Sequence, residues 1–530
     1  AYYVDAIGGS TRNGRLISPG NYAAFREQFG FDFPGVDKLT DAQYTAYIRW
    51  IIARIRNYLA KVRAVAKELR PDVAFTYNYV GIPEVCDFVT CDLFPLNSGK
   101  LNLESSLRRN AVLSSVKPGE ALLDTVDNKE VLSAKGLDGY RAELWTARSL
   151  NVATCASFVM PLDGSMLTPQ FELTNKVFTE QRAYEEWFEE MEPVEQIGIV
   201  NSHDSRKFRP GDPELRRRHQ REYEGWVQAA TAGGRLWGYV DDHNMTSERF
   251  EGLDILILGN ASCMRVDQVA AVRDFVQTGG TLIMTGETSL FDADGNRLEA
   301  LQLGDVAGIE FMEDPQPERC YLAVPSRGGA EHMFVFPEGQ FAVRPDEKAE
   351  VLAHVKQQPA GHALLGLVWI ETDFPGMVRH AFGNGHCYYL AGLPGARYAE
   401  DGHHNMKRLM QTVIRLAEAN TLPAAMADAP DTVCAYAHRQ RAKNRFVVNL
   451  VNNMSETARS VPGDRFEDVD RMPPVPGATV TLNEGRIGRI REVYLAPDRT
   501  PLDAARTDDG LVQIPVPQFD VHAMIVAELE

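Results

Sequence analysis

The chain has 530 residues, of which 44% are hydrophobic and 24% are charged, and its formal net charge is −18 at pH 7. This length predicts two to four domains, each with its own core. The acidic balance argues against a nucleic-acid partner, since phosphate binding requires a basic surface, and the apolar runs are shorter than the roughly 18 residues of a membrane span.

The first 194 residues alternate strand and helix patterns. Strands are predicted at residues 2–7, 73–79, 87–94, 121–126 and 153–160, and helices at 21–29, 41–69, 103–116, 139–149 and 169–191. Thr40 or Asp41 is the predicted cap of the second helix. One apolar face of that helix is predicted from residues at helical spacing: Ile48, Ile51, Ile55, Leu59, Val62, Val65 and Leu69.

Five strand–helix units are typical of a (β/α) barrel or of an open sheet. A complete (β/α)₈ barrel takes about 250 residues, so we interpret residues 1–194 as the later part of a barrel that lacks its first three strands. An open five-stranded α/β sheet is the structural alternative. The chain also opens inside a strand-like run, Ala1-Tyr-Tyr-Val-Asp5, without an initiator methionine, and we therefore expect it to be a fragment.

Residues 195–421 carry the pattern of a doubly wound α/β domain. An apolar run at 254–259 precedes valines at helical spacing at 266–276, and Gly279-Gly280 separates these from a second apolar run at 281–285. Strand, helix and strand in this order predict a parallel βαβ unit. Further strands are predicted at 195–200 and 386–392, helices at 219–232 and 404–418, and an insertion at 346–355.

The end of the chain predicts a small β-sandwich at 430–530. A linker rich in alanine and proline, residues 422–431, precedes it. Apolar residues then alternate with polar ones in short runs at 432–437, 445–451, 493–495, 511–516 and 522–527. Turn residues separate these runs, as is typical of antiparallel strands in a sandwich.

The seven cysteines are scattered and include no CxxC pair. This pattern favours free thiols over a disulfide framework or a zinc site. It also predicts a reducing, cytoplasmic compartment. The neighbouring His403 and His404 lack an acid or cysteine at ligand spacing, so we expect a solvated helix start there and predict neither a metal nor a cofactor.

Three segments of the α/β region resemble a known family: residues 253–259, the run Val276-Gln-Thr-Gly-Gly-Thr-Leu-Ile-Met-Thr-Gly286, and Phe291-Asp-Ala-Asp-Gly295. They are similar to the flavodoxin-like trimerisation domain of the β-galactosidases of glycoside hydrolase family 42. They are equally similar to that domain in hydrolases that carry it behind an α-fucosidase-like barrel. The resemblance extends over nearly the whole chain in the order barrel, flavodoxin-like domain, β-sandwich. It implies a glycosidase that acts on a carbohydrate and forms a homo-oligomer, a trimer in those relatives.

The residues that could perform such chemistry are carboxylates. All twelve histidines lie at or after His203, so an acid and a base in the first 194 residues must be carboxylates or tyrosines. Two carboxyl groups are what glycoside hydrolysis requires. In barrels they lie at the carboxyl ends of strands, and the acids predicted there or on the helix facing that side are Asp5, Asp92, Asp127, Asp163 and Glu143.

The resemblance implies a role for one of these acids, and strand position suggests a partner for it. The nucleophile of α-fucosidase-like barrels is an aspartate at the end of the fourth strand, and Asp5 fits that place. Asp92, in Thr90-Cys-Asp-Leu-Phe94, is the candidate acid, and Asp127, Glu104, Glu143 and Asp163 compete for this role. The Asn-Glu pair that family 42 carries at the end of that strand is absent here, so its β-galactosidase activity is not carried over.

Sugar binding could involve side chains that stack on a ring or bind hydroxyl groups. Asn78, Tyr79 and Trp145 are candidates, together with Asp127, Glu143 and Asp163. Four of these residues have a structural alternative: Asn78, Tyr79 and Trp145 are of types that often pack in a core, and Asp163 precedes Gly164 as a turn residue does.

Two other functions stay open. A non-catalytic carbohydrate-binding or scaffold protein would fit an incomplete barrel. An amidotransferase-like hydrolase would require a cysteine on the turn at 286–289, which has none, and Cys263 lies one strand too early.

Overall fold

The computed structural model describes residues 19–76, 85–93, 119–127, 130–158, 163–165, 168–209, 213–316, 320–325, 331–336, 340–357, 370–419, 421–453 and 470–530. The predicted strand at 2–7 and the predicted helix at 103–116 lie outside these residues. Within them, no helix is both long and apolar enough to cross a bilayer.

The first described elements are α1 (Pro19–Phe29) and α2 (Asp41–Leu69). Thr40 caps α2, because its hydroxyl accepts from the Gln43 amide while the Gln43 side chain accepts from the Thr40 amide. The predicted apolar face is buried only in its first half: Ile48 and Ile51 are buried, whereas Leu69 is 76% exposed.

Strands and helices then alternate: β1 (Val89–Leu93), β2 (Gly119–Asp124), β3 (Val126–Asp127), β4 (Glu130–Ala134), α3 (Leu137–Ser149), β5 (Ala153–Ser157), α4 (Thr168–Arg182) and α5 (Glu185–Phe188). β1, β2 and β5 pair in parallel in that order, and we call them the N-terminal sheet. β3 and β4 form an antiparallel hairpin between β2 and α3. The predicted strands at 87–94, 121–126 and 153–160 are therefore confirmed.

Two predicted elements differ from the structure. The strand predicted at 73–79 is wrong over its described residues, 73–76, because Phe75 exchanges hydrogen bonds with Asp87 instead of joining a ladder. The helix predicted at 169–191 is interrupted after Arg182 by a turn at residues 183–184, and its last helical residue is Phe188 of α5. The chain turns there so that Tyr184 packs edge-on against Trp145, with ring centroids 4.9 Å apart.

The next part of the chain contributes the largest set of elements. They are β6 (Glu192–Val194), β7 (Ile197–Asn201), α6 (His203–Phe208), α7 (Pro213–Ala232), β8 (Trp237–Asp241), α8 (Ser247–Phe250), β9 (Ile255–Leu258), α9 (Val266–Gln277), β10 (Thr281–Thr285), α10 (Gly304–Ala307), β11 (Ile309–Gln316), β12 (Cys320–Pro325), β13 (Glu331–Phe336), β14 (Gln340–Pro345), β15 (Glu350–Gln357), β16 (Ile370–Phe382), β17 (Gly385–Leu390), α11 (Pro394–Asp401) and α12 (His404–Glu418).

Parallel strands form the middle of this region, in the order β8–β7–β9–β10–β17, which we call the central sheet. Numbered along the chain this is 2-1-3-4-5, the order of flavodoxin-like sheets, and it reverses between β7 and β9. The predicted strands at 254–259 and 281–285 and the helix between them are confirmed as β9, β10 and α9. Their residues are buried on both faces of the sheet, as their continuous apolar runs predict.

Antiparallel strands extend the central sheet beyond β17. β16, β15, β12 and β13 follow in that order, and β11 and β14 form a separate ribbon. The predicted insertion at 346–355 is therefore too short, because the antiparallel part runs from 309 to 382. Register shifts interrupt two of its pairings, that of β11 with β14 and that of β15 with β16.

The last elements are β18 (Ala425–Asp428), β19 (Val433–Gln440), β20 (Arg445–Asn452), β21 (Ala478–Asn483), α13 (Glu484–Ile487), β22 (Ile490–Ala496), β23 (Thr500–Pro501), β24 (Ala505–Arg506), β25 (Leu511–Val516) and β26 (His522–Leu529). In the described residues they form sheets of order β18–β21–β25–β24 and β23–β22–β26–β20–β19–β6. The predicted runs lie in β19, β20, β22, β25 and β26. β6, which precedes the central sheet in the chain, pairs with β19 here.

Buried side chains join the N-terminal elements to both later parts of the chain. Tyr47 of α2 shares a core with Leu258 at the end of β9. Trp145 of α3 and Val177 of α4 share another core with Met524 of β26. The helices that flank the N-terminal sheet are thus held from two sides.

Candidate active site

Acidic residues gather at the carboxyl edge of the N-terminal sheet. The register pairs Asp92 with Leu122 and Asp124 with Ser157, so the three parallel strands end at a common edge. Asp127 follows in the short strand β3. Two strands therefore end on or next to an aspartate, and a third aspartate ends β3 in the hairpin that follows β2.

The two faces of this sheet differ in polarity. Ala121 and Leu123 are fully buried in the core that includes α3 and α4. Because successive residues of a strand alternate between faces, Glu120 and the register position of Asp92 belong to the opposite face. Burial, and then the charge of Glu120, raise the pKa of the Cys155 thiol from the neighbouring strand. Glu120 and Cys155 therefore lie on the face away from the core that includes α3 and α4.

Thr125 fixes the carboxyl ends of β2 and β5 to each other. Its amide donates to the Ser157 carbonyl at 3.1 Å, and its hydroxyl donates to the same oxygen at 2.6 Å. The amide of Lys135 in turn donates to the Thr125 carbonyl at 3.1 Å. The loop that leads into α3 is thus anchored at the strand end.

Glu143 lies close to this edge but is held in an ion pair. The Lys135 ammonium donates to its two carboxylate oxygens at 2.8 and 3.1 Å. The side chains of Lys135 and Glu143 are only 5% and 12% exposed. A mostly buried, paired carboxylate is poorly placed to exchange a proton with a substrate.

Trp145 lies in the core between α3 and the β-sandwich. Its ring is fully buried and stacks on His522, with centroids 3.6 Å apart and planes 9° apart. Its indole nitrogen donates to Glu180 at 3.0 Å. A sugar has no access to either face of this ring, and the position supports the packing alternative for Trp145.

Asp163 lies in an exposed turn. Its carboxylate accepts from the Ser165 amide at 2.9 Å, and Gly164 between them has φ 77°. Hydrogen bonds from Ser165 lower the pKa of the Asp163 carboxyl. This geometry supports the turn alternative for Asp163.

Other predicted site residues are only partly described or lie elsewhere. Asp92 and Asp127 have described backbone positions, given above. The remaining ones lie outside the described residues: Asp5, Asn78, Tyr79 and the competing acid Glu104.

Three residues of this edge are not predicted from the sequence. Asp124 lies inside the predicted strand at 121–126, and its place as the last paired residue would have marked it as a strand-end acid. Thr125 and Lys135 carry no local pattern, because their roles depend on the Ser157 carbonyl and on Glu143, which are distant in the chain.

The carboxyl edge of the central sheet is filled by its own side chains. At the point where strand order reverses, the Ser202 amide donates to His219 Nε2 at 2.8 Å, and His219 Nδ1 bonds the Gly259 carbonyl at 2.8 Å. Asp242 accepts from the Ser202 hydroxyl at 3.0 Å and from the His203 amide at 2.5 Å. The loops after β7 and β9, which bind ligands in many α/β proteins, are tied to each other here.

Electrostatics at the central edge argue against nucleophilic catalysis by a thiol. Cys263 is fully buried, and burial raises its pKa well above the usual range. Burial, followed by the charge of Asp242, raises the pKa of Asp204 to about 7. Burial lowers the pKa of His219 to about 4, so this histidine is neutral and bonded at both nitrogens. An amidotransferase needs an activated cysteine, and Cys263 at this edge is not activated.

The described part of the chain contains no cluster of three or more histidine, cysteine, aspartate or glutamate side chains that could hold a metal ion. His403 caps α12, where its ring accepts from the Asn405 amide at 3.3 Å. The predicted helix start at His403 and His404 is confirmed.

Comparison with known proteins finds likeness in structure without likeness in sequence. No protein-family model matches the chain, and no curated protein matches its sequence. In structure it is similar to α-L-fucosidase isoenzyme 2 from Paenibacillus thiaminolyticus, with a TM-score of 0.77 and 17% identity over 98% of this chain and 76% of that one.

Two β-galactosidases have the same fold. The enzyme from Bacillus circulans sp. alkalophilus gives a TM-score of 0.66 and 14% identity over 99% of this chain and 74% of that one. The enzyme from Rahnella sp. R3 gives 0.65 and 13% over 98% and 75%. At such identities the likeness shows the fold alone: the chain has the α/β fold of these glycoside hydrolases, and it spans about three quarters of their length.

Proposed function

We propose that this chain is a glycoside hydrolase that cleaves a terminal sugar with two carboxylates at the carboxyl edge of the N-terminal sheet. The observation that carries the proposal is the register of β1, β2 and β5, which gathers Asp92 and Asp124 at one edge. The fold shared with known glycosidases supports it, since barrel enzymes have their active sites at this end of the strands.

The proposed reaction needs a general acid and a nucleophile or base, and two aspartates take these roles. Asp92 protonates the oxygen of the leaving group, and Asp5 acts as nucleophile or as base toward water. Carboxyl groups about 5–5.5 Å apart would give retention of anomeric configuration, and a separation of about 6.5–9.5 Å would give inversion. Asn78, Tyr79 and Asp127 are proposed sugar ligands. Glu143, Trp145 and Asp163 are better placed for the structural roles described above.

The proposal also assigns the domains. Residues 1–194 form the later part of a (β/α) barrel, 195–421 a flavodoxin-like domain and 430–530 a β-sandwich. The flavodoxin-like domain would assemble the homo-oligomer, a trimer, and the protein would work in the cytoplasm on a carbohydrate without a cofactor. The parallel order of the central sheet and the filled edge where its order reverses support a scaffolding domain.

The test is a screen of the protein made from its natural gene against 4-nitrophenyl glycosides, with α-L-fucoside and β-D-galactoside first. We expect release of 4-nitrophenol from at least one of them. Asp5→Asn should lower turnover by several orders of magnitude and leave the melting temperature nearly unchanged. Asp163→Asn, in an exposed turn, should leave both turnover and melting temperature unchanged. Sugar binding in calorimetry without turnover of any glycoside would favour the non-catalytic scaffold instead.

A further inference from the structure

A groove of about 320 Å³ separates the C-terminal end of α7 from β18 of the sandwich, and α12 forms its third wall. α7 leaves the carboxyl edge of the central sheet and ends at the opposite edge, before β8. The lining residues all lie between Ala229 and Thr481, whereas the N-terminal sheet is formed by residues 89–157, so the groove is distinct from the edge where catalysis is proposed. Its volume is at the small end of the range for small-molecule sites, which are often found between domains.

The walls of the groove are held by buried contacts. Arg235 pairs with Glu418 at 2.6 Å, and the two side chains are only 16% and 13% exposed. The Ala427 amide donates to the Gly234 carbonyl at 3.1 Å. A Cβ at Gly234, where φ is +63°, would meet the Ala427 oxygen at 1.9 Å, so this close approach requires glycine. The groove therefore has its shape before any ligand enters.

Polar groups on the walls keep hydrogen-bonding capacity. Arg415 donates to the Thr412 hydroxyl at 2.8 Å, and neither Arg415 nor Asp428 forms an ion pair within the described residues. The Gln411 amide nitrogen donates to the Ala229 carbonyl at 3.3 Å, which leaves its oxygen as an acceptor. Thr481 adds a hydroxyl group. Donors and acceptors thus come from α12, β18 and β21.

The chemistry of these groups selects a ligand class. Four charged residues line the groove: Arg235, Arg415, Asp428 and Asp431. Arg235 pairs with Glu418 and Asp431 pairs with Lys407. The remaining cation, Arg415, and the remaining anion, Asp428, balance each other, which favours a ligand without net charge. The guanidinium donates, the carboxylate accepts, and the amide and the hydroxyl can serve hydroxyl groups. Ala229, Ala232 and Ile414 form an apolar part of the lining suited to C–H groups. We propose that the groove is a second, non-catalytic carbohydrate site that binds a single neutral sugar residue.

Calorimetric titration of the full chain with D-galactose, L-fucose and D-glucose tests this proposal. Arg415→Ala and Asp428→Ala should each weaken one binding event by about tenfold or more, because each removes a charged hydrogen-bonding partner. Ala232→Trp should abolish that event by filling the groove. Arg408→Ala, at an exposed position of α12 outside the groove, is the matched control and should bind as the unaltered chain does.

The outcomes separate this site from the proposed active site, because the titration measures binding and not turnover. An isotherm that is unchanged in all three groove variants would place every bound sugar elsewhere and overturn the proposal. The absence of heat with every sugar would also overturn it, and so would binding of glycine in preference to the sugars, which would mark a site for a zwitterion. Melting temperatures check that the Ala232→Trp protein is folded. If it is not, the Arg415→Ala and Asp428→Ala proteins decide whether the groove binds a sugar.

Discussion

In the central sheet, the loops after β7 and β9 meet where the strand order reverses, and His219 bonds to both of them. At the corresponding edge of the N-terminal sheet, β1 carries Asp92 next to its end, and β2 ends on Asp124. At the edge of the central sheet, the polar side chains are neutral or already hydrogen-bonded to each other. The edge of the N-terminal sheet has aspartates at or next to the ends of adjacent strands.

This difference separates a scaffold from a reaction site. A sheet edge whose polar groups already bond to each other has little to offer a ligand, although open α/β sheets usually bind ligands there. Acids at strand ends, in contrast, are the groups that glycoside hydrolysis needs. The following predictions test this contrast.

The largest effect on stability is expected where α3, next to the N-terminal sheet, packs on the β-sandwich. Trp145→Ala should lower the free energy of unfolding by about 3–5 kcal/mol, because it removes a fully buried ring that stacks on His522. Urea denaturation measures this change. Trp145→Phe keeps most of the packing and should leave the KM for a glycoside unchanged. A stable Trp145→Phe protein with a much higher KM would show that this side chain contacts the sugar after all.

A smaller loss is expected when the buried ion pair at the edge is broken. Lys135→Met should lower the free energy of unfolding by about 3 kcal/mol, since it leaves the Glu143 carboxylate without its partner in a mostly buried position. Adding Glu143→Leu should restore much of that stability. If the double variant is no more stable than Lys135→Met, the pair is not the structural contact that the geometry indicates.

The pH dependence of stability should reveal the buried carboxyl of Glu222, which lies beneath the central edge and accepts from the Trp226 indole and the Ala396 amide. Burial raises its pKa from 4.5 to about 7. A raised carboxyl pKa stabilises the fold below about pH 4.5, and that stability is lost as the pH rises through about 7.

The expected size is on the order of 2–3 kcal/mol between about pH 5 and pH 8, since one pKa unit corresponds to about 1.4 kcal/mol. Glu222→Gln should flatten this part of the profile in urea denaturation at each pH. Glu248→Gln, at an exposed position, is the control and should follow the unaltered chain. Equal slopes in all three proteins would mean that Glu222 does not titrate as described.

The smallest effect is expected from thiol alkylation. Cys263 is fully buried and its pKa is raised by burial, so iodoacetamide should neither label it in the folded protein nor change the turnover of a glycoside. Mass spectrometry of the labelled protein identifies the modified thiols. Loss of activity that follows labelling of Cys263 would support a thiol-dependent hydrolase.

Local patterns predicted much of the fold. The apolar runs at 254–259 and 281–285 became β9 and β10 because buried parallel strands need no alternation, and Thr40 capped α2 through its own neighbour Gln43. Tertiary contacts decided the failures. Phe75 bonds to Asp87 instead of pairing in a strand, and Tyr184 packs against Trp145 where the predicted helix is interrupted. β6 pairs with β19, which lies more than 200 residues away in sequence.

The candidate site was less predictable than the fold. Strand ends identify acids such as Asp92, but a side chain's availability depends on distant partners. The sequence offers Glu143 and Trp145 as candidates for substrate contact, whereas their contacts with Lys135 and His522 support structural roles.

The most direct test compares one aspartate from each edge. Asp92→Asn and Asp242→Asn are matched substitutions, measured on the aryl glycoside that the protein from the natural gene hydrolyses fastest. We predict that Asp92→Asn lowers kcat/KM by about 10²–10⁴-fold with little change in Tm, because it removes a general acid. Asp242→Asn should lower Tm, since it disturbs buried amide and hydroxyl bonds, and leave kcat/KM of the folded protein within about twofold. Full activity in Asp92→Asn, or its loss in a folded Asp242→Asn protein, would contradict the assignment of catalysis to the N-terminal sheet.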